Sequence, residues 1–567
     1  MISFAIYGYQ NGDPELIAAT FNQDGNPCGL EYYNAKRNAT QDNRDYPYLY
    51  WYVDSGYLPD PYHTVCVNQC PTKDGDNPGI KCSDDVGDKD GCPGGNYYET
   101  FVLADRLCIP RSQEYIKNIS SVLSISFWES SISDIEATWY LIIIVGIIAL
   151  VIGFVYLAMM RFCSGVVTWG LIILYFIALV AFGALCYLDS TGSDIGSHYT
   201  PSTLKSVSPS VLKWISYGCW AVAAISALAL CIYFKKIQLA VAVLKCASEF
   251  VEDVPTVLIV PPFFFLISVG FYLYWVFSAV YIVSTGTIHS DDGGIFADVK
   301  MTNGQEGMIA YYVFGLLWNH AFFVALPQFV IISACCIWYF CQADGKNPKS
   351  PVSKSLCRGL FLHMGSIAMG SFFIAVIDAL KLVLEYFEKH MAAAREDNTA
   401  NCFGKYCLAC SNCCLDCFER FVRFINRHAY IQIAMTGESF CKAAEDGFFL
   451  ALRNSTRFGI VHGIGAIFVF IGQLFITLLS TFIGYLILTK VGDFKENIYS
   501  TTVPLLFFVL VSLIIGHTFM SVYGVSADAI IHCFCMDEEI HEYGARHAPK
   551  LLRQFVDKHV PQRLMSG

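Results

Sequence analysis

From residue 138 onward the chain is built from long apolar runs rather than from alternating positions. They occupy 138–160, 166–187, 211–234, 256–284, 309–341, 360–387, 458–489 and 499–531. A bilayer-spanning helix needs about 20 mostly apolar residues, and every run reaches that length. Several exceed it, which predicts tilt, kinks or extension beyond the hydrocarbon. Pro255, Pro261 and Pro262 stand near one start, Pro327 is mid-run and Pro504 opens the last run. Each such proline frees a carbonyl and bends its helix. The run at 360–387 is interrupted by small and polar residues, His363, Gly365, Gly370 and Ser371 among them. A lone anchor would be uniform Leu and Val; small residues let helix backbones approach closely.

Composition agrees with the pattern. Of 567 residues, 55% are hydrophobic and only 15% charged, which describes a polytopic membrane protein. The net charge of −11 is uneven. Residues 1–137 hold 20 acidic and 9 basic residues, and the rest of the chain balances. This acidic stretch also holds Cys28, Cys66, Cys70, Cys82, Cys92 and Cys108, and the sequons at Asn38 and Asn118. Cysteines in even number beside sequons predict disulfides, glycosylation and a place outside the cytosol. Six cysteines permit about 15 pairings, and all remain open. With few long apolar runs, the stretch depends on those bonds to fold. Cys66 and Cys70 have finger-like spacing, but no second pair follows to close a metal site. Neither a metal nor a cofactor is expected.

The loops give a topology. Residues 9–137 lie outside, Arg161 inside, 188–210 outside, Lys235 and Lys236 inside, and 285–308 outside. Lys346, Lys349, Lys354 and Arg358 are inside, as is the basic tail after 531. This follows the positive-inside rule. The stretch 388–457 breaks the alternation, because its many Lys and Arg residues belong inside. A return helix between about 400 and 430 restores the order. Residues 235–252 form a basic amphipathic helix, with Ile237, Ala240, Val241 and Leu244 on one face, suited to the cytosolic interface.

Specific residues carry a resemblance. Arg358, His363, Gly365, Ala368, Gly370 and Ser371 follow a GKNPKSPVSKS loop. CVNQCP, the Tyr274-Trp275 pair, GLLWNHAFFVALPQF, AYIQIAMTGESF and GHTFMSVYG with Asp528 occur in the order and spacing of one family. Over nearly its whole length the chain resembles the choline transporter-like proteins. The resemblance implies an all-α polytopic membrane protein of ten spans, with a disulfide-rich extracellular domain. Residues 1–8 stand where the first span should end, so that span is expected to be incomplete. The expected organisation is that remnant, an outer domain at 9–137 and a membrane core at 138–387. An interfacial cysteine-rich helical region with the return span follows at 388–457, then two last spans at 458–531 and a cytosolic tail at 532–567.

The resemblance implies transport of choline or a related organic cation by alternating access. Trimethylammonium donates no hydrogen bond and is held on aromatic faces. Trp275 and Trp318 lie about nine to ten residues from the outer ends of their runs, roughly 15 Å deep. Carriers bind substrate near that depth, between helices. Tyr272, Trp275, Trp318, His320, Gln328 and Tyr523 are the candidate substrate site, and His517 is a candidate proton-coupling group. Where the family has an acidic residue three positions after Trp318, this chain has Ala321, and Ile332–Ala334 also departs from the pattern. These departures support an alternative, a transport-inactive membrane scaffold with protein partners.

Asp378 and Lys381 are spaced to pair on one helix face. A histidine alone in a span, such as His462, is expected to bond a backbone carbonyl. Cys407, Cys410, Cys414 and Cys417 form one helical stripe, suited first to burial and then to S-acylation. No catalytic constellation is present, so an enzyme is not expected, and neither is a nucleic-acid partner. The plasma membrane is the first expected location, another organelle membrane the second.

Overall fold

The computed structural model describes residues 1–34, 39–52, 63–73, 80–81, 98–103, 105–112, 115, 125–191, 208–289, 298–342, 348–393, 401–490, 501–541 and 545–559. Cys82, Cys92, Asn38 and Asn118 lie outside these residues. The chain divides into two compact units. One combines Met1–Trp139, Leu266–His320 and Asp493–Pro504, and the other holds Tyr140–Phe265, Ala321–Gly492 and Leu505–Gly567.

In the first unit, MISFAIYGY and two following residues form α1 (Ile2–Asn11), and Pro14–Ala18 forms the short α2. β1 (Glu31–Asn34) and β2 (Ala39–Asp42) make a hairpin. The five-stranded sheet comprises β3 (Tyr48–Trp51), β4 (Thr64–Val67), β5 (Ile80–Lys81), β6 (Thr100–Leu103) and β7 (Leu107–Pro110) in the order β5-β4-β3-β7-β6. Only the β3–β7 pairing is parallel. Strand side chains alternate between faces, and both faces of this sheet are covered. Leu49 and Trp51 pack with Leu107 and Ile109, while Tyr50 packs with Val65, Val67 and Tyr98. Each face carries one disulfide, Cys28–Cys66 on the first and Cys70–Cys108 on the second. Each closes a separation of 38 residues, worth roughly 3–4 kcal/mol against the unfolded chain. Tyr98 stacks on Tyr50 and donates its hydroxyl proton to the Trp51 carbonyl. Burial lifts its phenol well above the usual value.

Among the described residues, eight helical segments are long and apolar enough to cross a membrane, and they coincide with the eight runs of the sequence. The first two share one helical stretch, α3 (Ile125–Ser190), which stays helical through Arg161. Next come α4 (Pro209–Asp253), α5 (Val260–Val283) and α6 (Asn303–Gln342), which remains helical through Pro327. A short strand pair, β8 (Thr287–His289) and β9 (Asp298–Lys300), joins α5 to α6. The amphipathic residues 235–252 continue α4, with Ala240, Val243 and Leu244 buried.

In the second unit, α7 (Pro351–Cys357) passes through a wider turn at Arg358–Leu362 into α8 (Met364–Ala393). There the His363 N–H bonds the Arg358 carbonyl at 2.9 Å, five residues back. α9 (Asn401–Thr436) returns antiparallel along α8. Lys381 meets Asp416 and Glu419, and nearer the turn-distal end Asn426 Nδ2 donates to the Gly370 carbonyl at 2.8 Å. A Cβ at Gly370 would overlap the Tyr430 hydroxyl, so that crossing needs glycine. Lys381 thus pairs across to the next helix. α10 (Phe440–Arg453), α11 (Ser455–Lys490), α12 (Thr502–Ile540) and α13 (Lys550–His559) complete the chain. One large core joins α4, α6, α9 and α12 through Leu244, Phe329, Tyr430 and Ile530, and it takes in Leu552 of α13.

Candidate functional site

Two clusters of functional side chains stand out, one in each unit. In the first unit, α5 and α6 carry an aromatic set. Trp275 stacks on Tyr312 with ring centroids 5.4 Å apart and planes 17° from parallel. The Trp275 indole N–H donates to the Tyr312 carbonyl at 3.3 Å, which fixes the ring. One turn earlier on α5, the Tyr272 hydroxyl lies 2.7 Å from His320 Nδ1. Trp318 is 38% exposed, with its ring 6.5 Å from Phe314. Tyr272 also lines a cavity of about 520 Å³ with Val276, Phe277 and Tyr281.

Helix α1 packs against the same two helices. Phe4 meets Tyr311 edge-on at 5.4 Å, and Tyr9 lies 5.4 Å from Tyr281. Gly8 sits so close to Ile282 that a Cβ would strike its backbone. Asn319 Nδ2 donates to the Gly315 carbonyl at 2.8 Å and reaches the Met1 sulfur at 3.6 Å. The side chains of this set are uncharged apart from what His320 takes up, and its ring faces are what it offers chemically.

The second unit carries a charged cavity of about 600 Å³. Arg420, Arg423 and Arg427 come from α9, Phe448 from α10, Phe458 and His462 from α11, and Asp528 from α12. Arg427 bonds the Asp528 carboxylate, and His462 Nδ1 lies 3.5 Å from its other oxygen. The carboxylate, not a backbone carbonyl, is therefore the partner of His462. Beside it runs a buried chain of polar groups. His428 Nδ1 is 3.2 Å from His532 Nδ1, and His532 Nε2 is 3.2 Å from Gln432 Oε1. Gln432 offers an oxygen there, so His532 Nε2 carries the proton and donates. His532 Nδ1 then accepts from a protonated His428 Nδ1. The two tautomers are set by one amide. The lining thus brings three guanidiniums and one carboxylate, with Arg423 held by Glu419 and Arg427 by Asp528.

The structure pairs Tyr272 with His320 and Trp275 with Tyr312, which the sequence reading passed over, while Trp318 on α6 has Phe314 of its own helix as a ring neighbour. Tyr312 had a signal: it falls six residues before Trp318 in the same apolar run. Gln328 is half-buried in the second unit. Tyr523, also there, is fully buried and donates to the Leu244 carbonyl at 3.2 Å. His517 is exposed on α12. Ala321 is 5% exposed. Cys410, Cys414 and Cys417 are exposed, so the stripe is not buried as first expected; the Cys407 side chain lies outside the described residues. Arg427 had registered only as one basic residue among many.

A family profile described as plasma-membrane choline transporter matches residues 217–539, more than half the chain. Choline transporter-like protein 2 of Dictyostelium discoideum is 29% identical over 594 aligned positions, covering 98% of this chain and 92% of that protein. Choline transporter-like protein 2 of Xenopus laevis is 28% identical, covering 75% of this chain and 66% of that protein. Choline transporter-like protein 1 of Mus musculus is 24% identical, covering 75% and 65% respectively. The profile match, spread over the same helices that carry the aromatic set and the charged cavity, makes this multi-pass membrane protein a member of the choline transporter-like family.

Proposed function

We propose that this protein moves choline or a related organic cation across its membrane by alternating access. The observation that carries the reading is the stacked Trp275–Tyr312 pair, with the partly exposed Trp318 six residues further along the helix that carries Tyr312. A stacked pair holds each ring in place, and the indole face turned away from Tyr312 then meets a trimethylammonium group without losing orientation. A cation desolvated against such a face gains about 1–2 kcal/mol. Tyr272 and His320 hold each other at the next turn and border the same level. In this reading no covalent chemistry is done on the substrate. The disulfide-linked domain faces away from the cytosol, and most of 388–457, beyond its return span, faces it. His517 is the group through which proton movement would couple to transport. Cys410, Cys414 and Cys417 are open to acylation.

Uptake of labelled choline into proteoliposomes tests the proposal. Saturable uptake that weakens in Trp275→Ala and Trp318→Ala supports it. Absence of saturable uptake by intact, correctly sized protein would instead favour the scaffold alternative.

A further inference from the structure

At the end of α12 three side chains that play no part in the transport reading converge. His547 Nδ1 lies 3.0 Å and His541 Nδ1 3.1 Å from the same oxygen of Asp537. The His547 backbone N–H donates to the other Asp537 oxygen at 2.8 Å. The three potential ligand atoms lie within 4.8 Å of one another, and the Asp537 side chain is 1% exposed. We propose that Asp537, His541 and His547 form a site for one divalent transition-metal ion, zinc being the best match, which ties the C-terminal segment to the last membrane helix.

The geometry suits such an ion. Tetrahedral zinc with bonds near 2.0–2.1 Å sets its ligand atoms about 3.3 Å apart. The two nitrogen-to-oxygen separations need to open by only a few tenths of an ångström. Two imidazoles and a carboxylate are borderline-to-hard donors that suit zinc, and they leave a fourth position for water. The His547 amide on Oδ2 turns Oδ1 inward, the orienting contact that ligating carboxylates ordinarily have.

Ala545, Ala548 and Leu552, which flank or follow His547, are buried, and a metal across Asp537, His541 and His547 would tie that buried stretch to α12. The sequence hides the site, because the spacing of three and then five intervening residues matches no common zinc pattern.

The rival account is two imidazole N–H groups donating to one carboxylate with no metal. Full-length protein, stripped with a chelator, reloaded with Zn²⁺ and desalted, separates the two by elemental analysis. About one retained zinc per chain is expected. Asp537→Asn and His547→Gln should each weaken retention by about tenfold or more, since even an orienting contact is worth that much. Cobalt substitution in unmutated protein gives an independent reading that needs no variant to fold. Tetrahedral d–d bands without sulfur-to-metal charge transfer are expected; charge transfer would place the ion on cysteines instead. No retained zinc, zinc retained unchanged in both variants, or a thiolate spectrum each overturns the proposal.

Discussion

The aromatic set on α5 and α6 and the arginine-lined cavity of the other unit are electrostatic opposites. The first offers ring faces with no fixed charge beside them. The second brings three arginines and one carboxylate that is already engaged by Arg427 and His462. The larger cavity is thus the poorer host for a quaternary ammonium, and the Asp528 carboxylate there is spent on its own neighbours. Cavity size and the presence of an acid do not identify a cation site; what matters is whether the acid is already satisfied.

The sharpest way to break this contrast is Asp528→Asn. It leaves Arg427 without its charge partner in a largely dry place. Breaking a fully buried pair costs about 3–5 kcal/mol; because the Arg427 side chain keeps 35% of its exposure, about 2–3 kcal/mol is expected. Thermal unfolding in detergent should show the loss, and Asp528→Leu with Arg427→Met should recover much of it. If Asp528→Asn is as stable as the parent but loses choline binding, the carboxylate serves the substrate and the contrast fails.

Trp275→Ala comes next. Removing the stacked indole should raise the KM for choline by about 5–30-fold, the equivalent of about 1–2 kcal/mol of cation–π attraction. Trp275→Phe should recover part of it. An unchanged KM would move the substrate elsewhere. Tyr272→Phe removes one hydrogen bond to His320, and about 1 kcal/mol of stability or a few-fold in KM should follow. Arg420→Ala should change neither uptake nor KM by more than about twofold, because an exposed charge contributes little. A marked fall in KM would show that this guanidinium opposes a cation passing through its cavity.

The sequence made the spans legible because burial in hydrocarbon writes itself as length: among the described residues, eight apolar runs became eight long helical segments. It also marked Cys28, Cys66, Cys70 and Cys108 as disulfide-forming, though not which joins which. Pairing depends on which strands adjoin, and a parallel β3–β7 contact is not written in either strand. The same limit hid the partner of Lys381. Its spacing to Asp378 suggested a local pair, while the bonds run to Asp416 and Glu419, brought near only when α9 folds back on α8. Arg427 and Asp528 are separated by 101 residues, so no periodicity connects them. Trp275 and Trp318 were found by depth along their own runs, a local quantity, whereas the Tyr312 ring that locks Trp275 required knowing how two helices face.

The sheet of the N-terminal unit also bears on the order of synthesis. Its middle strand, β3, is flanked by β4, which follows it closely, and by β7, which emerges last. Cys28 can meet Cys66 as soon as β4 appears. Cys70 must wait for Cys108, 38 residues later, when the ribosome is already extending α3. One face of the domain can therefore be sealed early, while the other stays open until β7 has emerged. A chain stalled within residues 71–81 would carry one closed bond and one unpaired thiol at Cys70, a marker by which partly made molecules could be told from finished ones.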